Sequence, residues 1–255
     1  MRPRIVAHRG AAAEAPENTL PAFDLGLALG ADALELDVRR SADGALLVIH
    51  DPTLDRTAGV PGRVVDMTTA AVRAADVSAG GPGTPGAAGP VRVPVLEEVF
   101  ARYPGLEITV DVKDPAAAWD VVHCIERFRR TERTILYVDE DTEGDAFRAY
   151  RGRRATSVAQ AARIAAEPGW LAAAAPREVP EVVQVPLRAD GRTLVTRDFV
   201  ARVRDSGRTV QVWTVDDATT LRRLAEYQVD GIITNDVRLA ASLLGARGRE
   251  GNGED

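Results

Sequence analysis

Two stretches of this 255-residue chain place charged residues where a strand would hold them side by side. In Ala33-Leu34-Glu35-Leu36-Asp37-Val38, Glu35 and Asp37 share one face, and Leu34, Leu36 and Val38 take the other. In Ile108-Thr109-Val110-Asp111-Val112-Lys113, the residues Thr109, Asp111 and Lys113 point one way in the same manner. Carboxylates facing a covered interior are costly unless they are paired or bound to a cation. Singly, each reads as an ordinary rim salt bridge. Together, Glu35, Asp37 and Asp111 make a hard-oxygen donor set suited to Mg²⁺ or Ca²⁺ and unsuited to a soft metal. The expected cofactor is therefore a divalent cation.

Two of the chain's three histidines sit near this set in pattern. His8 ends the run Arg4 to Ala7, and His50 ends Leu46 to Ile49 and precedes Asp51-Pro52. Imidazole is suited to moving protons near neutrality. Arg9 offers a planar fork for phosphate oxygens, and Gly10 lets the backbone turn closely. His123 falls within a helical run and reads as packing or surface. Lys113 is the only lysine among 32 basic residues, the rest being arginine. The arginine excess reads as codon bias, which does not explain why the one lysine stands two residues from Asp111 on the same strand face.

The elements that must position these residues alternate. Apolar runs lie at 4–7, 33–38, 46–50, 107–112, 134–138, weakly 155–158, then 181–185, 209–215 and 231–234. With 33–38 and 46–50 taken as one continued strand region, they number about eight. Helical periods fall between them, at 20–29, 96–102, 116–130, 145–151, 159–166, 197–206, 218–227 and 237–244. Strict alternation predicts parallel strands, and about eight repeats in this length fit an α/β TIM (β/α)8 barrel. A doubly wound sheet would need a Gly-x-Gly-x-x-Gly opening a helix, and none occurs.

Composition narrows the partners. Hydrophobic residues make up 45% and the net charge is -6, which argues for one sizeable core and against a nucleic-acid footprint. Cys124 is alone, so no intrachain disulfide forms. No apolar run reaches the length of a membrane span, and the start is too short and polar for a signal peptide. The expectation is a soluble cytoplasmic protein with no stable membrane anchor: one domain over 1–245 and a flexible tail at 246–255. The Gly/Pro-rich stretch 79–90 reads as a surface loop, with a flap at the barrel mouth as its functional alternative.

These motifs together resemble the glycerophosphodiester phosphodiesterase family. The likeness runs through Ala7-His8-Arg9-Gly10, Pro16-Glu17-Asn18-Thr19, Glu35-Leu36-Asp37, His50-Asp51, Asp55-Arg56-Thr57 and Val95-Leu96-Glu97-Glu98. It is weak over 139–180, where the run 139–143 is acidic, and returns at Val212-Trp213-Thr214-Val215 and Asp230-Gly231-Ile232-Ile233-Thr234. The resemblance implies a TIM barrel with a segment inserted after the second strand, here about 51–94. It implies His8 and His50 as the acid/base pair, and Glu35 and Asp37 as metal ligands. Asp111 stands where the family usually has Glu, so the third contact is expected to be longer or water-mediated. Arg9 and Lys113 would hold the phosphate. Glu17 and Asn18 would line the same mouth, although Asn18-Thr19 also reads as a helix N-cap before Leu20-Pro21. Trp213 would form an apolar wall, or equally belong to the core.

The implied activity is metal-dependent hydrolysis of a small glycerophosphodiester to glycerol 3-phosphate and an alcohol. Alternatives are a lysophospholipase D-like phosphodiesterase and a non-catalytic binding barrel. A sugar-phosphate isomerase or aldolase is a weaker option: it would typically bring a Schiff-base lysine or a late glycine-rich phosphate loop, and the only lysine is Lys113.

Overall fold

The computed structural model describes residues 2–80, 89–138, 144–167, 169–174, 177–189 and 191–245. The acidic run 139–143 and the tail 246–255 lie outside the described residues, as does most of the stretch 79–90. Strands and helices alternate as β1 (Arg4–His8), α1 (Leu20–Ala28), β2 (Ala33–Arg40), α2 (Leu96–Arg102), β3 (Ile108–Val112), α3 (Ala118–Arg127), β4 (Thr134–Val138) and α4 (Asp145–Ala149). They continue as β5 (Arg153–Arg154), α5 (Val158–Ala166), β6 (Val182–Pro186), α6 (Arg197–Asp205), β7 (Thr209–Trp213), α7 (Ala218–Glu226), β8 (Gly231–Thr234) and α8 (Val237–Leu244).

These strands pair in parallel, in the spatial order β5-β4-β3-β2-β1-β8-β7-β6. The ring closes between β5 and β6 on a single bridge, Ala155 to Val182, with Thr156 N donating to Val182 O at 2.9 Å. This is the expected TIM barrel of eight parallel strands. Strand alternation partitions its residues. Leu34, Leu36, Val38, Ile108, Val110 and Val112 turn outward into the main apolar core beneath the helices. Glu35, Asp37, Thr109 and Asp111, all buried, take the other face.

Several boundaries differ from expectation. The run Leu46–Val48 is antiparallel to β2, pairing Val38 with Val48 and Arg40 with Leu46. The hairpin turns at Gly44, whose φ of 88° favours glycine. His50 therefore ends no strand and lies two residues past this one. It is carried back to the mouth because Ile49 N donates to Asp37 O at 3.0 Å and Arg39 Nε donates to His50 O at 2.7 Å. The weak run at 155–158 is displaced: the strand is Arg153–Arg154, and Val158 begins α5. Arginines disguise it, because Arg153 pairs with Glu107 at 2.8 Å and buried Arg154 donates to Arg177 O at 2.6 Å. The helix expected over 116–130 is α3 proper, preceded by a tight 3₁₀ turn at Pro115–Ala117.

Between the β2 hairpin and α2 lies the inserted segment. It holds a short hairpin (Thr53–Leu54 with Val60–Arg63), the helical turn Asp55–Ala58 and the helix Thr69–Ala74. Leu47, Ile49, Leu54, Val64, Val72, Val77, Val91 and Val93 form an apolar cluster of its own. Among the described residues, no helix is long and apolar enough to cross a membrane.

Candidate active site

Register decides which carboxylates meet. β2 and β3 run in parallel with Glu35 beside Thr109 and Asp37 beside Asp111. One oxygen each from Glu35, Asp37 and Asp111 lie within 4.8 Å of one another. The three are buried, so they cannot all ionise without compensation. Burial, then the charge of Asp37, pushes the Glu35 carboxyl up to about 8. Burial and Asp37 likewise push Asp111 up to about 8. Burial acts upward on Asp37 too, but Arg9, Lys113 and His50 outweigh it, and its carboxyl lies below the ordinary range. The donor set fits a hard metal ion. All its ligand atoms are oxygens, and Asp111 Oδ1 is buried without a hydrogen-bond partner.

Two cations flank the cluster. Lys113 Nζ lies 2.6 Å from Asp111 Oδ2 and 3.3 Å from Asp37 Oδ1. Arg9 Nε lies 3.1 Å from Asp37 Oδ2, and Arg9 Nη1 donates to Glu17 Oε1 at 2.9 Å. Arg9 is aimed there by a sharp turn after β1. Its own φ is 54° and that of Gly10 is 87°. A Cβ at Gly10 would lie 2.6 Å from the carbonyl carbon of Ala22 in α1, so only glycine fits.

Each of the two histidines is oriented through Nδ1. His8 Nδ1 lies 2.7 Å from Asn235 Oδ1. Asn235 Nδ2 is already committed to Asp216 Oδ2 at 2.7 Å, so Oδ1 must accept and His8 Nδ1 must donate. The free Nε2 stands 3.8 Å from Glu35 Oε2. Burial, then Arg9, holds the His8 imidazole below its ordinary pKa. His50 Nδ1 donates to Asp51 Oδ1 at 2.7 Å. Hydrogen bonds from Arg56 keep the Asp51 carboxyl down at about 2.

A cavity of about 300 Å³ opens above these groups. Its walls include His8, Arg9, Glu35, Asp37, His50, Asp111, Lys113 and Trp213, so eight of the ten candidate residues meet there. Glu17 and Asn18 do not line it. Asn18 stands behind the carboxylates: Nδ2 donates to Asp37 Oδ2 at 2.8 Å, and Oδ1 accepts from Asp37 N at 3.2 Å. Its φ of 57° is a conformation asparagine tolerates. The N-cap of α1 is Thr19, whose hydroxyl accepts from Ala22 N at 3.3 Å. Glu17 is held between Arg9 and Arg56. The sequence reading missed Tyr137, Gln184, Thr214, Val158 and Ile233 in the wall. Period-two alternation on β4 and β6 carries Tyr137 and Gln184 inward. An isolated tyrosine or glutamine gives no such signal from sequence. Trp213 lies in the wall and packs against the small interior cluster of Val6, Ala33 and Ile233.

Fold and site together define a (β/α)8 barrel with a metal-capable, histidine-bearing pocket. The sequence pattern of the Glycerophosphoryl diester phosphodiesterase family matches residues 8–239. The probable glycerophosphodiester phosphodiesterase 2 of Mycobacterium tuberculosis is 31% identical over 250 residues, covering 95% of this chain and 91% of that one. The glycerophosphodiester phosphodiesterase of Caldanaerobacter subterraneus is 30% identical, covering 96% and 98%. The crystal structure of the Agrobacterium tumefaciens glycerophosphodiester phosphodiesterase superposes with a TM-score of 0.73 at 29% identity, covering 94% and 99%. An Oleispira antarctica phosphodiesterase, solved in complex with the product sn-glycerol-3-phosphate, shares the fold at a TM-score of 0.73 and 18% identity, covering 95% and 96%. The chain belongs to the glycerophosphoryl diester phosphodiesterase family and is a phosphoric diester hydrolase.

Proposed function

We propose that this protein hydrolyses glycerophosphodiesters to glycerol 3-phosphate and an alcohol, with a divalent cation, Mg²⁺ or Ca²⁺, held by Glu35, Asp37 and Asp111. The observation that carries the reading is the convergence of three carboxylates, two imidazoles and two cations on one cavity. When bound, the cation would neutralise charge on a phosphate oxygen. Arg9 and Lys113 add positive charge at the rim, where it stabilises a crowded phosphorane-like transition state. His8 and His50 each anchor Nδ1 and leave Nε2 free to exchange a proton with the substrate. One accepts the proton of the attacking hydroxyl, the substrate's own glycerol hydroxyl, as the new P–O bond forms a cyclic phosphate, which water then opens to glycerol 3-phosphate. The other returns a proton to the alkoxide as the old P–O bond breaks. The apolar wall of Val158, Trp213 and Ile233 suits the carbon skeleton of a small polyol. The product bound by the Oleispira antarctica phosphodiesterase is the one expected here.

The test is glycerol 3-phosphate release from glycerophosphocholine, -ethanolamine, -glycerol and -inositol, each with Mg²⁺, Ca²⁺ or EDTA. Release is expected with a cation and not with EDTA. His8→Ala and His50→Ala should each lower turnover by roughly 10²–10⁴ while the fold persists. No release from any diester, or near-normal turnover by either folded variant, overturns the reading.

A further inference from the structure

Arg56 lies outside the cavity wall, on the helical turn Asp55–Ala58 of the inserted segment. Its guanidinium grips two carboxylates at once. Nε donates to Asp51 Oδ2 at 2.6 Å and Nη2 to Asp51 Oδ1 at 3.1 Å. Nη1 donates to Glu17 Oε2 at 2.8 Å and Nη2 to Glu17 Oε1 at 2.7 Å. Each of these carboxylates is also the partner of a residue in the cavity wall. Asp51 Oδ1 accepts from His50 Nδ1, and Glu17 Oε1 accepts from Arg9 Nη1. One side chain of the inserted segment thus stands behind a proton-transfer group and a phosphate-binding group together.

We propose that Arg56 is a positioning residue, which fixes the ring of His50 through Asp51 and tempers the hold of Glu17 on Arg9. The inference rests on the proposed roles of His50 and Arg9. Its physics follows from the fork. Asp51 and Glu17 have side chains 21% and 18% exposed, so each carboxylate has room to turn. A bidentate guanidinium sets the plane of a carboxylate as well as its place. With Asp51 held, His50 keeps its proton on Nδ1 and presents the lone pair of Nε2 to the cavity. Glu17 Oε1 is shared between Arg9 and Arg56. Without Arg56, the full charge of Glu17 falls on Arg9 and competes with the substrate phosphate. An ordinary surface salt bridge, by contrast, adds little to stability and leaves the kinetics alone.

The experiment compares Arg56→Gln and Arg56→Lys with wild type, alone and combined with Asp51→Asn and Glu17→Gln. Arg56→Gln should lower kcat about 10-fold and raise KM about 3-fold, with little change in melting temperature. The kcat loss should vanish in the Asp51→Asn background, and the KM rise in the Glu17→Gln background. Arg56→Lys keeps the charge but lacks the fork, so it should rescue KM more than kcat. The chain has three histidines, so imidazole ¹⁵N spectra resolve His50 directly. Wild type should show the Nδ1–H tautomer and Arg56→Gln a mixture. Unchanged kinetics and an unchanged His50 spectrum in Arg56→Gln overturn the proposal. So do losses that persist undiminished in both double variants. If His50→Ala is inactive while Arg56→Gln is normal, the relay alone fails. A fully active His50→Ala removes the parent role and the relay together.

Discussion

Replacing Glu35 by Gln should make the metal-free protein more stable while removing its activity. The carboxyl of Glu35 is buried against Asp37 and pushed up to about 8 from an unfolded value of 4.5. A raised carboxyl pKa means that the folded state holds a proton which the unfolded state releases. Stability is therefore intact below about 4.5 and is lost progressively as pH rises toward 8. At pH 8 that loss amounts to about 4 kcal/mol for this group. Gln has the same shape and carries no charge. Its carbonyl oxygen can still accept from Arg9 N, which lies 3.1 Å from Glu35 Oε2. Allowing about 1 kcal/mol for an imperfectly paired amide leaves a gain of about 3 kcal/mol. For a chain of this size that is a rise of about 6 °C in Tm. The assay is thermal melting of EDTA-treated wild type and Glu35→Gln at pH 5 and pH 8. The variant should melt higher at pH 8, and the gap should nearly close at pH 5. Mg²⁺ or Ca²⁺ should raise the wild-type Tm at pH 8 and leave the variant nearly unmoved. A variant that melts no higher than wild type at pH 8, or a gap of equal size at both pH values, refutes the reasoning.

Two further predictions concern the groups that touch the carboxylates. Lys113→Arg keeps the charge, but a wide guanidinium must replace an ammonium wedged 2.6 Å from Asp111 and 3.3 Å from Asp37. Steady-state kinetics should show kcat/KM reduced by roughly 10-fold, and unchanged values would make Lys113 a mere surface charge. Asn18→Gly preserves the φ of 57° but deletes both hydrogen bonds to Asp37. Melting should fall by about 4 °C, for about 2 kcal/mol of lost pairing, and the response to added cation should weaken; an unaltered melt and response would show that Asp37 needs no support from behind.

What was legible in the sequence was local and periodic. The two-residue repeat of β2 and β3 announced that Glu35 and Asp37 share a face and that Asp111 and Lys113 share another. Alternating elements announced the barrel. What was hidden depends on pairs far apart in the chain. Asn235 orients His8 across 227 residues, and no spacing rule connects them. Arg56 lies 39 residues from Glu17, in a segment whose fold the sequence left open. The contact of Asn18 was hidden for a different reason. The residues read as a helix N-cap and the resemblance placed Asn18 at the mouth, but neither announces a left-handed backbone that brings its side chain onto Asp37. At β5 the charged surface of Arg153 and Arg154 masked a strand, because burial there is achieved by pairing and not by apolar character.

The weak closure of the ring has a mechanical meaning. Counting staves from the single bridge between β5 and β6, the pair diametrically opposite is β1 and β2, which carry His8, Glu35 and Asp37. A ring joined least at one seam parts there first, whereas β1 and β2 are each laddered to both of their neighbours. Thermal breathing and amide exchange should thus concentrate around 153–156 and 181–183. His8, Glu35, Asp37 and Asp111 ride on strands paired along both edges. Insertions or sequence drift near the joint can then reshape the Val158 and Gln184 side of the pocket while the spacing of the carboxylates stays constant.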